Sequence, residues 1–340
     1  MLVDTAEGGA IAAQQVHQEN LDYLWLELTN KCDLECVHCY ANSGPKPSIP
    51  DLLDLEKYKS LISEAADCGC RNVQFLGGEP TLFKDLPLLL DYAREVGYLS
   101  ISIVTNATHI SEELLHALVR NKVRVASAIY SDRSEVHDAI TGRKGSHHRT
   151  VENVRRMFSA GIEIRGSVVA MDMNRDQLSS TETFIKSLGI TTVRSDDLRG
   201  FGRGAKEKCC SDIQQLCGSC WKGILCVLPD GSVSPCSMSR SWTVGSVLSQ
   251  TLPEILRGAP LIEMRDLIKS QVWEPRMAAY LSLSTNDGGN QPQEDDKKKP
   301  PPSKPGSPPD TKPEKSSEDP PIRPLCGPIC APYNHCLPDT

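Results

Sequence analysis

Between about residue 21 and residue 195, short apolar, β-branched runs alternate with amphipathic stretches. "LDYLWLELT" (21–29), "NVQFLGG" (72–78), "LSISIVTN" (99–106), "KVRVASAIY" (122–130), "IEIRGSVVAM" (162–171) and "ITTVRS" (190–195) have the length and residue types of strands. Between them, "LEKYKSLISEAADCG", "LPLLLDYAREVG", "SEELLHALVRN", "TVENVRRMFSAG" and "DQLSSTETFIKSLG" carry apolar positions at helical spacing, and several of them end at a glycine suited to a left-handed cap. Such alternation predicts βα units around a parallel sheet, and both a barrel, partial or full, and a doubly wound sheet satisfy it. The pattern divides the chain into an N-terminal extension (1–20), a βα region (21–204) and a module of cysteines, short helices and the hairpin-like "CVLPDGSVSPC" (205–285). Residues 286–324 hold eleven prolines and almost no apolar side chains, too little to offset the entropy of ordering, so a disordered linker is expected there. A cysteine-bearing tail (325–340) follows.

Composition changes this picture in two ways. A formal charge of −7 gives no general basic field, so neither nucleic acid nor an anionic membrane is an expected partner. No apolar run reaches the roughly 20 residues of a membrane span, and the N-terminus lacks a signal-peptide pattern, so a cytoplasmic location is expected. In that reducing compartment the 14 cysteines, grouped at the start, middle and end, point to metal rather than to disulfides. Cys68 and Cys70, at the end of a predicted helix, read as buried or idle thiols.

The densest group is "NKCDLECVHCY" (30–40), directly after the first predicted strand, where parallel α/β folds place their ligands. Cys32, Cys36 and Cys39 are spaced to wrap one corner of a cubane iron–sulfur cluster, binding three irons and leaving the fourth open for reaction. A zinc ion with His38 as fourth ligand is the simpler alternative, although His38 abuts Cys39 and has difficulty turning to the same ion.

This C-x3-C-x2-C loop followed by Tyr40 resembles the signature of radical S-adenosylmethionine (SAM) enzymes. "FLGGEP" (75–80) is similar to that family's Gly-Gly-Glu-Pro strand end, which holds the methionyl amino group; Gly77 and Gly78 permit close backbone approach, Glu79 can accept an ammonium hydrogen bond, and Pro80 completes the motif. "VTNAT" (104–108) resembles a Thr-Asn-Gly strand end, with Asn106 retained and alanine in place of glycine. The stretch from 129 to 162 resembles the segment with Ser-x-Asp, His-Asp, Arg-Gly and Gly-Ser. By that likeness Ser131 or Asp132 reaches ribose hydroxyls and Arg143 approaches the carboxylate; the plainer reading has His137 and Asp138 capping a helix and Arg143 as a surface cation. The resemblance implies a partial (β/α)6 TIM-like barrel.

"CGSCWKGILCVLPDGSVSPC" (217–236) resembles the first half of a SPASM domain, the auxiliary-cluster extension of peptide-modifying members, with Cys217, Cys220 and Cys236 as candidate ligands. Cys326, Cys330 and Cys336 resemble its later half, with one spacing longer by one residue and the last cysteine missing; zinc is the simpler reading of that tail. The implied cofactors are a [4Fe–4S] cluster, SAM and one or two auxiliary clusters. The implied activity is generation of a 5′-deoxyadenosyl radical that takes hydrogen from a ribosomally made precursor peptide and leads to a cross-link or other oxidative change. Expected partners are that peptide, a separate leader-peptide recognition protein and an electron donor such as flavodoxin or ferredoxin. Oxidation of a small alcohol or sugar, a sulfatase-maturase-like oxidation, and a zinc-bearing scaffold are the competing readings.

Overall fold

The computed structural model describes residues 20–206 and 212–286. Most of the N-terminal extension, Cys209 and Cys210, nearly all of the proline-rich segment, and Cys326, Cys330 and Cys336 lie outside the described residues. Six parallel strands run β1 (Tyr23–Glu27), β2 (Asn72–Leu76), β3 (Ser100–Thr105), β4 (Arg124–Ala128), β5 (Ile164–Ala170) and β6 (Thr192–Asp197). They pair in chain order, each with its neighbour in parallel register, as in Leu24 opposite Val73 and Val73 opposite Ile101. The helices between them are α1 (Leu55–Asp67), α2 (Leu86–Val96), α3 (Glu112–Arg120), α4 (Ser134–Thr141), α5 (Ser146–Ser159) and α6 (Leu178–Ser187). Their starts follow from local chemistry: the Asp54 carboxylate accepts the Lys57 amide at 2.9 Å and the Ser111 hydroxyl accepts the Leu114 amide at 3.1 Å, each satisfying a donor the helix leaves free.

The six predicted strands and five predicted helices are all present; α4, eight residues long, was not separable from its flanking turns by periodicity. The cysteine-bearing module is not a detached body. Its strand β7 (Ile224–Val227) lies parallel to β1, with Leu24 opposite Leu225 and Trp25 opposite Cys226, and β8 (Ser232–Ser234) and β9 (Gly245–Ser246) extend the same sheet antiparallel. The nine-stranded order is β6-β5-β4-β3-β2-β1-β7-β8-β9. The barrel strand β1 is thus interior to the sheet, and all five of its residues are buried, as its near-continuous apolar run requires. Helices α7 (Leu252–Leu256), α8 (Ala259–Ile268) and α9 (Glu274–Asn286) close the module, with one π turn (Lys269–Trp273) between the last two. No helix among the described residues is long and apolar enough to cross a membrane.

Candidate active site

All six parallel strands end on one side, and their C-terminal ends surround a cleft of about 1070 Å³ counted out to its mouth. Cys32, Cys36 and Cys39 line it, together with Gly77, Gly78, Glu79 and Asn106. Val104, Ala128, Val169 and Leu198 supply an apolar wall, and Asp196, Arg199 and Arg203 a polar one.

The three-thiol loop has little regular structure of its own, so its shape is set by bonds to distant backbone. The Cys32 amide donates to Gly44 O at 3.0 Å, Glu35 N to Thr141 O at 2.9 Å and Val37 N to Ile140 O at 2.9 Å. From the other side Arg203 donates its Nε to Cys36 O at 2.7 Å, its Nη2 to Ser43 O at 2.7 Å and its amide to Cys39 O at 2.9 Å. This close seating depends on Gly202, where a Cβ would run into the carbonyl oxygens of Cys39 and Tyr40 and where φ is +54°. Within the loop Asp33 is a hub: it accepts from Asn106 Nδ2 at 2.8 Å, Thr108 Oγ1 at 2.6 Å and Arg143 Nη1 at 2.7 Å.

The Gly-Gly pair has a use beyond ligand access. Gly78 N donates to Thr29 O at 2.7 Å and Glu79 N to Lys31 O at 2.8 Å, and a Cβ on Gly78 would overlap Lys31 O, so this turn seats the entrance of the thiol loop. Glu79 is fully buried and accepts from Thr105 Oγ1 at 2.6 Å, Asn106 N at 2.8 Å and Thr81 N at 3.1 Å. Burial nevertheless pushes its carboxyl up to about 7. Folded protein therefore binds this proton more tightly than unfolded chain, and the stability it contributes is complete below the unfolded pKa and lost as pH rises through about 7. In ligand-free protein, Glu79→Gln should gain on wild type by about 3 kcal/mol between pH 4.5 and pH 8 in urea titrations. A gap that does not change with pH would contradict that assignment.

Other expected residues serve the frame. Pro80 is buried and opens a 3₁₀ turn capped by Glu79. Ser131 Oγ donates to Gln177 Oε1 at 2.5 Å and accepts from Arg133 N at 3.0 Å, and the Asp132 amide donates to Thr181 Oγ1 at 3.2 Å; neither lines the cleft. Arg143 holds Asp33 rather than reaching the cleft, and Asp138 caps α5 through the amides of Gly145 and His147. Ala107, at the position where the resemblance places glycine, takes a φ of +57°. Spacing gave no sign of Arg203, of Tyr130, whose ring meets that of His38 edge to face at 4.6 Å over the cleft, or of Asp196, bound by Arg199 at 2.8 Å and 3.1 Å.

These residues fit a cubane cluster. The three soft thiols line one cavity from a single loop, and the Leu34 amide donates to Cys32 Sγ at 3.4 Å, a contact that favours a ligating thiolate. Burial pushes the Cys32 thiol far up and that of Cys36, with Cys39 beside it, to about 12. Among the described residues no three His, Cys, Asp or Glu side chains converge on a single-ion site. In the module, Cys220 shares hydrogen bonds with Cys217 and Cys236, all three beneath the surface or nearly so. Cys236 is held below the usual thiol range by the Cys220 hydrogen bond, aided by Ser239 and the Met238 amide, whereas its neighbours' hydrogen bonds push Cys220 up. Cys68 and Cys70 stand apart, the latter bonded to Asn72 O at 3.3 Å.

Comparison with known proteins places these features. Residues 26–185 match the radical SAM superfamily and residues 217–277 the SPASM iron-sulfur cluster-binding domain. The antilisterial bacteriocin subtilosin biosynthesis protein AlbA of Bacillus subtilis is 24% identical over 69% of this chain and 59% of that protein. The mycofactocin maturase MftC of Mycolicibacterium smegmatis is 34% identical over 53% of this chain and 45% of that protein. The chain thus spans about half the length of these curated relatives. Streptococcus suis SuiB, solved bound to precursor peptide SuiA, shares the fold with a TM-score of 0.61 at 17% identity, over 78% of this chain and 73% of that one. The chain therefore carries a radical SAM domain over residues 26–185 and a SPASM iron–sulfur cluster-binding domain over residues 217–277, the latter joined to the barrel sheet through β7.

Proposed function

We propose that this chain is a radical SAM maturase that oxidatively modifies a ribosomally made precursor peptide. The observation that carries the reading is the placement of two thiol groups around one sheet: Cys32, Cys36 and Cys39 in the cleft, and Cys217, Cys220 and Cys236 in the adjoining module. The likeness to AlbA, MftC and SuiB supports a peptide as substrate. When bound, the cluster and SAM supply a 5′-deoxyadenosyl radical that removes a hydrogen atom from the substrate.

The chain's own residues bind, orient and exclude water. Glu79, sealed at the cleft floor, is placed to accept an ammonium group, which draws its carboxyl back to the charged form. Asn106 lines the cleft while its amide group fixes Asp33, so ligand contact and loop geometry are joined in one residue. The apolar wall of Val104, Ala128, Val169 and Leu198 keeps water from a reactive centre. Asp196 and Arg199 form a compact polar pair facing the space a peptide would enter, where burial raises the carboxyl despite Arg199; Cys217 lies close enough to add to that rise. An external donor such as flavodoxin or ferredoxin supplies the starting electron.

The test is anaerobic incubation of reconstituted protein with SAM, dithionite and the peptide encoded by a short reading frame beside its gene. Loss of two hydrogens from the peptide, with matching 5′-deoxyadenosine, is the expected result. Release of 5′-deoxyadenosine with no change in the peptide, but with oxidation of small polyols, would replace the reading.

A further inference from the structure

A single buried ion pair ties both ends of the three-thiol loop to the SPASM domain. Glu27, the last residue of β1, is fully buried, and Arg240 reaches it from the turn that follows Cys236. Arg240 Nη1 pairs with Glu27 Oε2, and its Nη2 donates to Asn30 Oδ1 at 3.0 Å. The other oxygen of Glu27 accepts from the Tyr40 hydroxyl at 3.3 Å, and its backbone carbonyl accepts from Tyr58 at 2.8 Å. Asn30 stands two residues before Cys32 and Tyr40 one residue after Cys39, so the carboxylate–guanidinium unit grips the loop at both its entrance and its exit.

We propose that Glu27 and Arg240 are positioning residues through which the SPASM domain holds the three-thiol loop in cluster-binding shape, an inference that rests on Cys32, Cys36 and Cys39 being cluster ligands. Stability alone does not explain the pair. Exchange of a buried ion pair for neutral side chains of similar volume is often harmless to folding, whereas loss of one partner leaves a sealed, uncompensated charge. The middle of the loop is already fixed to the barrel by Ile140, Thr141 and Arg203. Its ends already carry backbone bonds, from Cys32 N to Gly44 O and from Arg203 N to Cys39 O; the pair adds side-chain ties at Asn30 and Tyr40, which flank the eight residues that must keep three thiols at one cluster's spacing. Because Arg240 follows Cys236 by four positions, the same contact sets where the second thiol group sits relative to the first.

The test uses the full chain, reconstituted anaerobically, as wild type, Glu27→Gln/Arg240→Met, and Tyr40→Phe. Two readouts are followed: the rate at which a chelator strips iron, and the change in the electron paramagnetic resonance signal of the reduced protein on adding SAM, to which only a cluster with an open iron responds. The double variant should refold with wild-type circular dichroism, lose its SAM-responsive iron about tenfold faster and show a weakened response to SAM. Tyr40→Phe, which deletes one hydroxyl and no charge, should shift both readouts in the same direction by a smaller factor and keeps the question open to refutation should the double variant not fold. Wild-type iron loss and a wild-type SAM response in Tyr40→Phe, or in a folded double variant, would overturn the proposal. The premise fails separately, and visibly, if the SAM-responsive signal survives replacement of Cys32, Cys36 and Cys39.

Discussion

Replacing Cys32, Cys36 and Cys39 together by alanine removes about four irons per chain from reconstituted protein and abolishes SAM cleavage. The structure makes this a clean experiment. The loop's position is fixed by backbone bonds from Cys32, Glu35, Val37 and Cys39 to Gly44, Thr141, Ile140 and Arg203, none of which uses a sulfur atom. Cys36 and Cys39 are only half-buried, so the loss of apolar contact is confined largely to Cys32. Folding should therefore survive, with a change in unfolding free energy of about 1–2 kcal/mol. The matched control is Cys68→Ala/Cys70→Ala, which removes two thiols that neither line the cleft nor share the hydrogen bonds of Cys217, Cys220 and Cys236, and it should leave iron content and cleavage at wild-type level. Cleavage of SAM by the triple variant would remove the basis of the whole functional reading.

The parallel sheet was legible because its strands are short apolar or β-branched runs bounded by glycine or a polar turn, with a helix-length segment before the next. The three thiols and the Gly-Gly-Glu turn were legible because they are local in sequence. Arg240 and Glu27 were not, since 213 positions separate them and neither belongs to a short motif. Arg203 was hidden in the same way: it reads as one cation in a glycine-rich stretch, and only the fold brings it 2.7 Å from Cys36 O. Asp33 shows the converse. It stands inside the motif, yet nothing in its spacing distinguishes a solvated carboxylate from the acceptor of Asn106, Thr108 and Arg143. Sequence likeness placed Ser131, Asp132 and Arg143 near a ligand; in the structure the Ser131 hydroxyl bonds Gln177, Arg143 bonds Asp33, and Asp132 is held through its amide while its carboxylate Oδ1 is buried without a hydrogen-bond partner. The joining of the SPASM domain to the barrel was also out of reach, because β7 is four residues long and its partner is chosen by the sheet edge that β1 leaves open.

That joining gives the second large effect its form. Cys220→Ala should keep the iron of the cleft and the slow, uncoupled cleavage of SAM, while modification of the peptide falls by more than the about 10–100-fold that loss of an outer-shell metal partner costs. Cys220 is the thiol that bonds both Cys217 and Cys236, so its removal takes away the centre of the group rather than one edge. Its neighbour Cys236 then loses the hydrogen bond that chiefly holds it below the usual thiol range and keeps only the Ser239 and Met238 contacts against the burial that pushes it up. The variant therefore separates two roles for the domain: as a scaffold it still presents β7 to β1 and Arg240 to Glu27, but as a cluster site it lacks a ligand. If the domain acts only as scaffold, Cys220→Ala modifies peptide at the wild-type rate and loses no iron. If it acts as a cluster site, iron falls toward the content of a single cubane and 5′-deoxyadenosine accumulates without product. Loss of both activities together, with the cleft's iron intact, would instead mean that the module's thiols shape the cleft directly, through the seam where Asp196 lies near Cys217.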